Sequence, residues 1–329
     1  MPKKAKHYRA VIVGAGRIAA GFDEPGGKHV LTHAHAYQAH AQTELVGIYD
    51  ISPTAAAKAA KKWSTRAFGD LGQMLSETQP DIVSVCTPDD AHVPALMKIA
   101  AFKPALVICE KPIAASLKDA GKVVKLYEKN RIPLLVNQIL RFDTAMQDLR
   151  RGLQRGAYGQ IVSASGFYAK GIMHNGVHIV DLARFLFGEA QEYRALFARK
   201  DVSGDDRTVG GFMRFARCPQ FHLMAGDERI TSIYEFDILC QKKRFRITDA
   251  GFTINGQTIV ADPYFSGYRA LGAPKASPTG LGDSMLVLLD NAVQNLERRK
   301  PLICPASDAL KTYAICEKLL AQSKRICLN

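Results

Sequence analysis

Long apolar runs are missing from this 329-residue sequence. Its hydrophobic stretches are broken by charges and glycines well before the roughly 20 residues that a membrane span needs. A transmembrane helix is therefore not expected, nor is a membrane partner. Paired cysteines are missing too. The seven present (Cys86, Cys109, Cys218, Cys240, Cys304, Cys316 and Cys327) make no CxxC pair. That argues against a zinc knuckle or a disulfide framework and suits reduced thiols in a cytosol. The basic start MPKKAK leads into a short apolar run that enters a glycine turn, so no secretory leader is read there. Internal repeats and low-complexity tracts do not occur. Acidic residues are under-supplied, 31 against 44 basic ones, giving a formal net charge of +13. Such a field draws anions, although a merely solvated basic surface explains it equally well. The basic residues are dispersed, with KKAK and QKKRFR the only tight clusters and no recognition motif beside them. Nucleic acid is therefore not the expected partner. Phosphorylated small molecules and nucleotides are.

What is present is a rhythm. RAVIVGAG (9–16), ELVGIYD (44–50), DIVSVCTP (81–88), ALVICEKP (105–112) and PLLVNQIL (133–140) read as strands without polar alternation, as strands buried on both faces of a parallel sheet do. PTAAAKAAKKW, HVPALMKIAAF and SLKDAGKVVKLYEKN between them carry helical periodicity. The alternation predicts a doubly wound α/β domain over 1–140. After residue 140 the runs QIVSASGFYAKG, QEYRALFARK, RTVGGFMRF, QFHLMAG, SIYEFDILC and KRFRITDAG alternate and lie close together. They predict an α+β domain over 141–329 with a large, mostly antiparallel open sheet covered on one face. Helices are expected near 281–299 and 306–324. DPYFSGYRALGAPKASPTG before them reads as a long loop.

VIVGAGRIA places Gly14, Gly16 and Ala19 in the G-x-G-x-x-G/A spacing directly after the first strand, with Arg17 and Ile18 inside it. The first glycine allows a tight turn and the second lets backbone approach a pyrophosphate. Asp50 ends the second strand, where a carboxylate accepts hydrogen bonds from the adenosine ribose hydroxyls. It would repel a 2′-phosphate, and Ile51 rather than arginine follows, so NAD is expected over NADP. A Gly/Pro-containing insert, residues 21–32, lengthens the gap between Gly14 and Asp50 and is expected to border the cofactor or substrate. His29, His33, His35 and His40 in and after it read as loop and helix-surface histidines rather than a metal site, because the spacing is irregular and no ligand set is complete. No metal is expected.

GIMHNGVHIVDLARF (171–185) sets His174 and His178 four apart and Asp181 three further on. Four apart on a helix is one face. Metal binding, proton transfer and core packing are all open from this stretch alone. Asn137, Gln138 and Arg141 leave the last strand of the first domain, and Tyr168 and Lys170 leave the first strand of the second. Each is a candidate for substrate hydroxyls or phosphates, with structural duty the alternative.

Taken together, CTPDDAH (86–92), CEKP (109–112), GVHIVDLARFLFG (176–188) and the glycine motif resemble the glucose–fructose oxidoreductase / inositol dehydrogenase / rhizopine-catabolism (Gfo/Idh/MocA) family. The resemblance implies a Rossmann domain, a second domain with an open sheet, and dimers or tetramers built through that sheet. It implies NAD(P)-linked chemistry at a sugar or polyol carbon, possibly of a phosphorylated or nucleotide-linked sugar. It places Thr87, Pro88 and His92 against the cofactor, Glu110 on the cofactor side, and Lys111 and His178 as the catalytic pair in a cleft. The chemistry agrees: an ammonium stabilises a developing alkoxide, and an imidazole exchanges a proton near neutral pH. His174 stands where the family commonly has an aspartate. His174, Asn175, Lys170, Arg141 and Asp181 are thus the expected substrate contacts, Asp181 having helix packing as its alternative. The Lys111–Pro112 bond is expected to be cis. A non-catalytic, NAD-binding regulator of the same fold is the competing reading.

Overall fold

The first strands form where the apolar runs lie. A computed structural model of the chain describes residues 7–201 and 204–326; Cys327 and the KKAK cluster fall outside the described residues. The chain divides into two compact units, one running through Phe142 and taking in Gly282–Leu310, the other comprising Asp143–Leu281 and the chain from Lys311.

In the first unit, β1 (Tyr8–Val13), β2 (Thr43–Tyr49), β3 (Ala67–Phe68), β4 (Ile82–Val85), β5 (Leu106–Cys109) and β6 (Leu134–Val136) form one sheet. Its order is β3-β2-β1-β4-β5-β6 and every pairing is parallel. This is the doubly wound arrangement, whose direction of winding reverses between β1 and β4 and opens a crevice at the carboxyl ends of those strands. Every residue of β4 and β5 is buried, which explains why neither shows polar alternation. The helices Pro53–Lys62, His92–Phe102 and Leu117–Asn130 stand where their periodicity predicts. Sequence reading missed β3 and the helix Leu71–Thr78. Two residues of strand and two helical turns carry too little pattern.

The helix after the glycine loop is interrupted. A single π-helical turn, Arg17–Gly21, is followed by the insert, and the helix proper is His33–Ala39. The insert folds onto Asp23, whose carboxylate accepts from the backbone N–H of Leu31 (2.6 Å) and Thr32 (3.2 Å) and from the Thr32 hydroxyl (2.6 Å). His35 Nδ1 lies 2.9 Å from the same carboxylate and its ring packs 5.4 Å from Trp63. His33 and His35 are therefore buried, contrary to the surface reading, because each finds a carboxylate partner. The segment Gly282–Leu310 returns to this unit. Cys304 accepts the Val136 N–H at 2.9 Å and Pro305 bridges Leu135, which covers the otherwise open edge at β6.

The second unit holds β7 (Ile161–Tyr168), β8 (Ala190–Arg199), β9 (Thr208–Phe215), β10 (Cys218–Ala225), β11 (Tyr234–Cys240), β12 (Lys243–Thr248), β13 (Thr253–Ala261), β14 (Arg269–Leu271) and β15 (Lys275–Pro278). The sheet runs β14-β13-β12-β11-β7-β10-β9-β8, with β15 on β13, and only β7 with β10 is parallel. Residues 262–280 were expected as loop. Two short strands within them pair back onto β13, and their mostly exposed residues show no alternation that could have announced it. The helix Val177–Phe187 lies directly on β7: at Gly166 a side chain would overlap Ile179. Its last residue, Phe187, packs with Phe215, Phe221 and Phe236 beneath, with ring centroids 5.5–6.3 Å apart, within the range of favourable aromatic pairs.

Candidate active site

At the switch point of the first sheet, Gly14 leaves β1 with φ +97°, and a Cβ there would stand 2.8 Å from the backbone of Cys86 and Thr87. Only glycine fits, on both counts. The loop is thereby pressed against the end of β4. Asp50, just past β2, is held from both sides: one oxygen accepts the Ala15 N–H (2.7 Å) and the other the Ser52 N–H (2.8 Å). Between these elements lies a cavity of about 790 Å³, lined among others by Gly14, Gly16, Arg17, Ile18, Asp50, Thr87 and Pro88. Phe22, the first aromatic of the insert, lines it too, with the Arg17 guanidinium 4.5 Å above its ring. The insert does border this cavity. Thr87 Oγ1 is buried without a hydrogen-bond partner among the described residues, an unsatisfied hydroxyl at the mouth of the crevice.

His92, Glu110 and Lys111 do not line this cavity. The expected direct cofactor contact of His92 is corrected. Its ring is fully buried, with Nδ1 2.6 Å from the Pro112 carbonyl oxygen and Nε2 2.8 Å from that of Thr87. It ties the end of β4 to the turn carrying Lys111, so its influence on a ligand passes through Thr87. The Lys111–Pro112 peptide is cis. Glu110 is 13% exposed and accepts at one oxygen from Asn137 Nδ2 (2.7 Å) and His33 Nε2 (2.9 Å). Burial alone would raise its pKa, but the His33 bond and charge, the Asn137 bond and the Lys111 charge outweigh it and hold the carboxyl below its usual range. Arg141 is corrected as a substrate contact. It is 4% exposed and its guanidinium donates to Asp308, so it fastens the returning segment.

In the second unit, Lys170, Gly171 and Gly176 frame a single π-helical turn, Gly171–Gly176, that runs straight into the helix bearing His178. His174 lies on the π turn and is exposed, Asn175 is half-buried, and His178 is half-buried in the first α-helical turn. The two histidines thus sit on different kinds of turn, not on one α-helical face as the spacing predicted. Asp206 organises this start. Its carboxylate accepts the backbone N–H of Met173 and His174, both at 3.0 Å. Its pKa is raised, chiefly by burial. Lys170 takes a left-handed backbone (φ +73°), donates its N–H to Asp201, and carries its ammonium 3.9 Å from Glu228. Asp181 is corrected as a substrate contact: at 2% exposure it accepts the Thr312 hydroxyl (2.8 Å), which in turn accepts from Arg184 (2.6 Å). Tyr168 is likewise internal, its hydroxyl donating to the Val209 carbonyl and accepting the Val209 N–H. Among the described residues no group of three His, Cys, Asp or Glu side chains is placed to hold a metal.

Residues 8–138 match the model of an oxidoreductase family with an NAD-binding Rossmann fold, Gfo/Idh/MocA. Over this stretch the chain is similar to the Gfo/Idh/MocA family. The chain is 27% identical over 221 residues to a D-apiose dehydrogenase of Paraburkholderia graminis, covering 61% of this chain and 56% of the relative. It is 27% identical over 196 residues to an inositol 2-dehydrogenase of Rhizobium meliloti, covering 54% of each. The matches span about half the length of these curated relatives. An oxidoreductase from Agrobacterium radiobacter, solved with NAD+, L-tartaric acid and magnesium, shares the fold across 97% of both chains (TM-score 0.77, 19% identity).

The glycine loop gives a direct test. Gly14→Ala is expected to cost about 1–3 kcal/mol of stability through backbone strain and to remove calorimetric NAD binding. An alanine variant that binds NAD like the parent would show that this close approach does not shape the pocket.

Proposed function

We propose that the chain is an NAD-dependent dehydrogenase acting on a CH–OH carbon of a sugar, polyol or sugar derivative. The observation that carries the reading is the switch-point cavity, with a glycine turn on one side, a ribose-type carboxylate on the other and the unsatisfied Thr87 hydroxyl between them. These residues fit a dinucleotide. Gly14, Gly16, Arg17 and Ile18 would hold the pyrophosphate side, Asp50 the adenosine ribose, and Thr87 and Pro88 the run toward the nicotinamide. When bound, NAD supplies a two-electron hydride acceptor. The protein's task is then the proton. As a secondary alcohol becomes a ketone, the hydroxyl proton must leave and negative charge grows on oxygen. Lys111 is assigned to stabilise that charge and His178 to take the proton, with His174, Asn175 and Lys170 as substrate contacts. Relatives named for apiose, inositol, a D-glucoside and UDP-N-acetylglucosamine support a sugar-type substrate. The net charge of +13 favours phosphorylated or nucleotide-linked forms. The six free thiols among the described residues are buried and suit a cytosolic setting.

Incubation with NAD and a panel of sugars, polyols and nucleotide sugars should raise the absorbance of reduced nicotinamide. Lys111→Ala and His178→Ala should each lower kcat/KM by about 10²-fold or more. Parent-like rates in both variants would remove those roles. Tight NAD binding with no turnover across the panel would favour the regulator instead. The protein is also proposed to form homodimers or homotetramers through the second unit's sheet, whose outward Met224 and Leu271 flank a hollow of about 410 Å³. Light scattering should report two or four copies, and Met224→Glu should lower that number. A parent that scatters as a monomer would contradict this.

A further inference from the structure

A second set of buried polar side chains reaches Glu110, the residue before Lys111, from distant parts of the first unit. Tyr37, Ser84 and His33 are 1%, 0% and 2% exposed, and they form a continuous chain of hydrogen bonds. The Tyr37 hydroxyl lies 2.6 Å from Ser84 Oγ, which lies 2.9 Å from His33 Nδ1. His33 Nε2 lies 2.9 Å from Glu110 Oε1, the oxygen that Asn137 Nδ2 also reaches at 2.7 Å. The chain joins the helix His33–Ala39, β4 and the residue before Lys111, all within the first unit.

Its polarity follows from the inventory of donors. An ionised carboxylate only accepts, so the proton on Nε2 points at Glu110. With Nδ1 unprotonated, Ser84 donates to it and accepts from Tyr37. With Nδ1 protonated, the Ser84–Tyr37 arm simply reverses. In both states His33 donates to Glu110. The far end is the Tyr37 phenol, buried at 1% exposure and kept protonated by that burial, so no proton enters the chain there. What it can do is fix the Glu110 carboxylate in place and keep it charged. The other titratable groups facing Glu110 are Lys111, Cys86 and Cys109, and burial and the Glu110 charge keep both thiols neutral.

The geometry points to His33 as a positioning residue for Lys111, acting through Glu110: the imidazole holds the anion that keeps the neighbouring ammonium charged and oriented. This rests on the role assigned to Lys111 above. A helix anchor would make the same bonds, and the two duties separate by which nitrogen matters. His33→Gln offers an N–H where Nε2 stands and loses the Ser84 contact. His33→Asn does the reverse. His33→Leu loses both.

The first readout needs no substrate. Lys111 acetylation by an amine-reactive reagent is followed against pH by mass spectrometry in the NAD-free protein. In His33→Asn and His33→Leu the midpoint should fall by about one unit as the counter-charge weakens, while His33→Gln stays near the parent. With any substrate that turns over, kcat should drop about tenfold in the first two at unchanged KM and recover in the third. Gln and Asn variants that label alike, or no shift in the Leu variant while its Tm is retained, would overturn the proposal. Because the labelling curve is independent of turnover, an enzyme that oxidises no tested sugar still decides it.

Discussion

The passage of the glycine loop over the end of β4 is the contact on which the rest of the first unit depends. No side chain fits at Gly14, so the loop can lie against Cys86 and Thr87, and that closeness aligns three separate strand ends. Asp50 then accepts from the loop's own Ala15 N–H, which locks β2 to β1 at the level of the cavity. His92 ties Thr87 to Pro112. The cavity and the Lys111 turn are in this way parts of one hydrogen-bonded edge, although Lys111 itself does not line the cavity. Each bond is worth on the order of 1 kcal/mol net. Their shared effect is orientation, since every one of them ends on backbone or on a buried group.

The second unit solves a different problem with a carboxylate at the start of a helix. The turn Gly171–Gly176 feeds a largely buried helix, and its π-helical form leaves backbone N–H groups from which Asp206 accepts. Burial of this carboxylate raises its pKa, and the accepted N–H bonds offset only part of that rise. Beyond His178 the helix turns to packing: Asp181, Thr312 and Arg184 satisfy one another out of water. The boundary between exposed and packed residues falls within the eight positions from His174 to Asp181.

Much of this was legible in the sequence, and what was not shares a cause. The parallel sheet, the glycine turn and Asp50 are local patterns that stand where their spacing predicted, and the strand-end Glu-Lys-Pro follows β5 as the resemblance implied. Arg141, Asp181 and Tyr168 are polar residues beside motifs, and spacing alone could not separate a presented side chain from one with a distant internal partner. Their partners, Asp308, Thr312 and Val209, lie 167, 131 and 41 residues away. The same holds for His33, whose contacts to Ser84 and Glu110 span 51 and 77 residues. The insert made it look like a surface histidine, because a helix of seven residues shows too little periodicity to mark a buried face. The strands β14 and β15 escaped for a complementary reason: edge strands with exposed side chains have no apolar alternation to read.

The central claim is that the crevice between β1 and β4 binds NAD with Asp50 against the adenosine ribose. Hydrogen exchange of the backbone amides, measured with saturating NAD and again with NADP, tests it most directly. Protection is expected with NAD at residues 14–18, 50–52 and 87–91, and far less with NADP, whose added phosphate would face the Asp50 carboxylate. Equal protection by both dinucleotides, or none at these amides, would contradict the account.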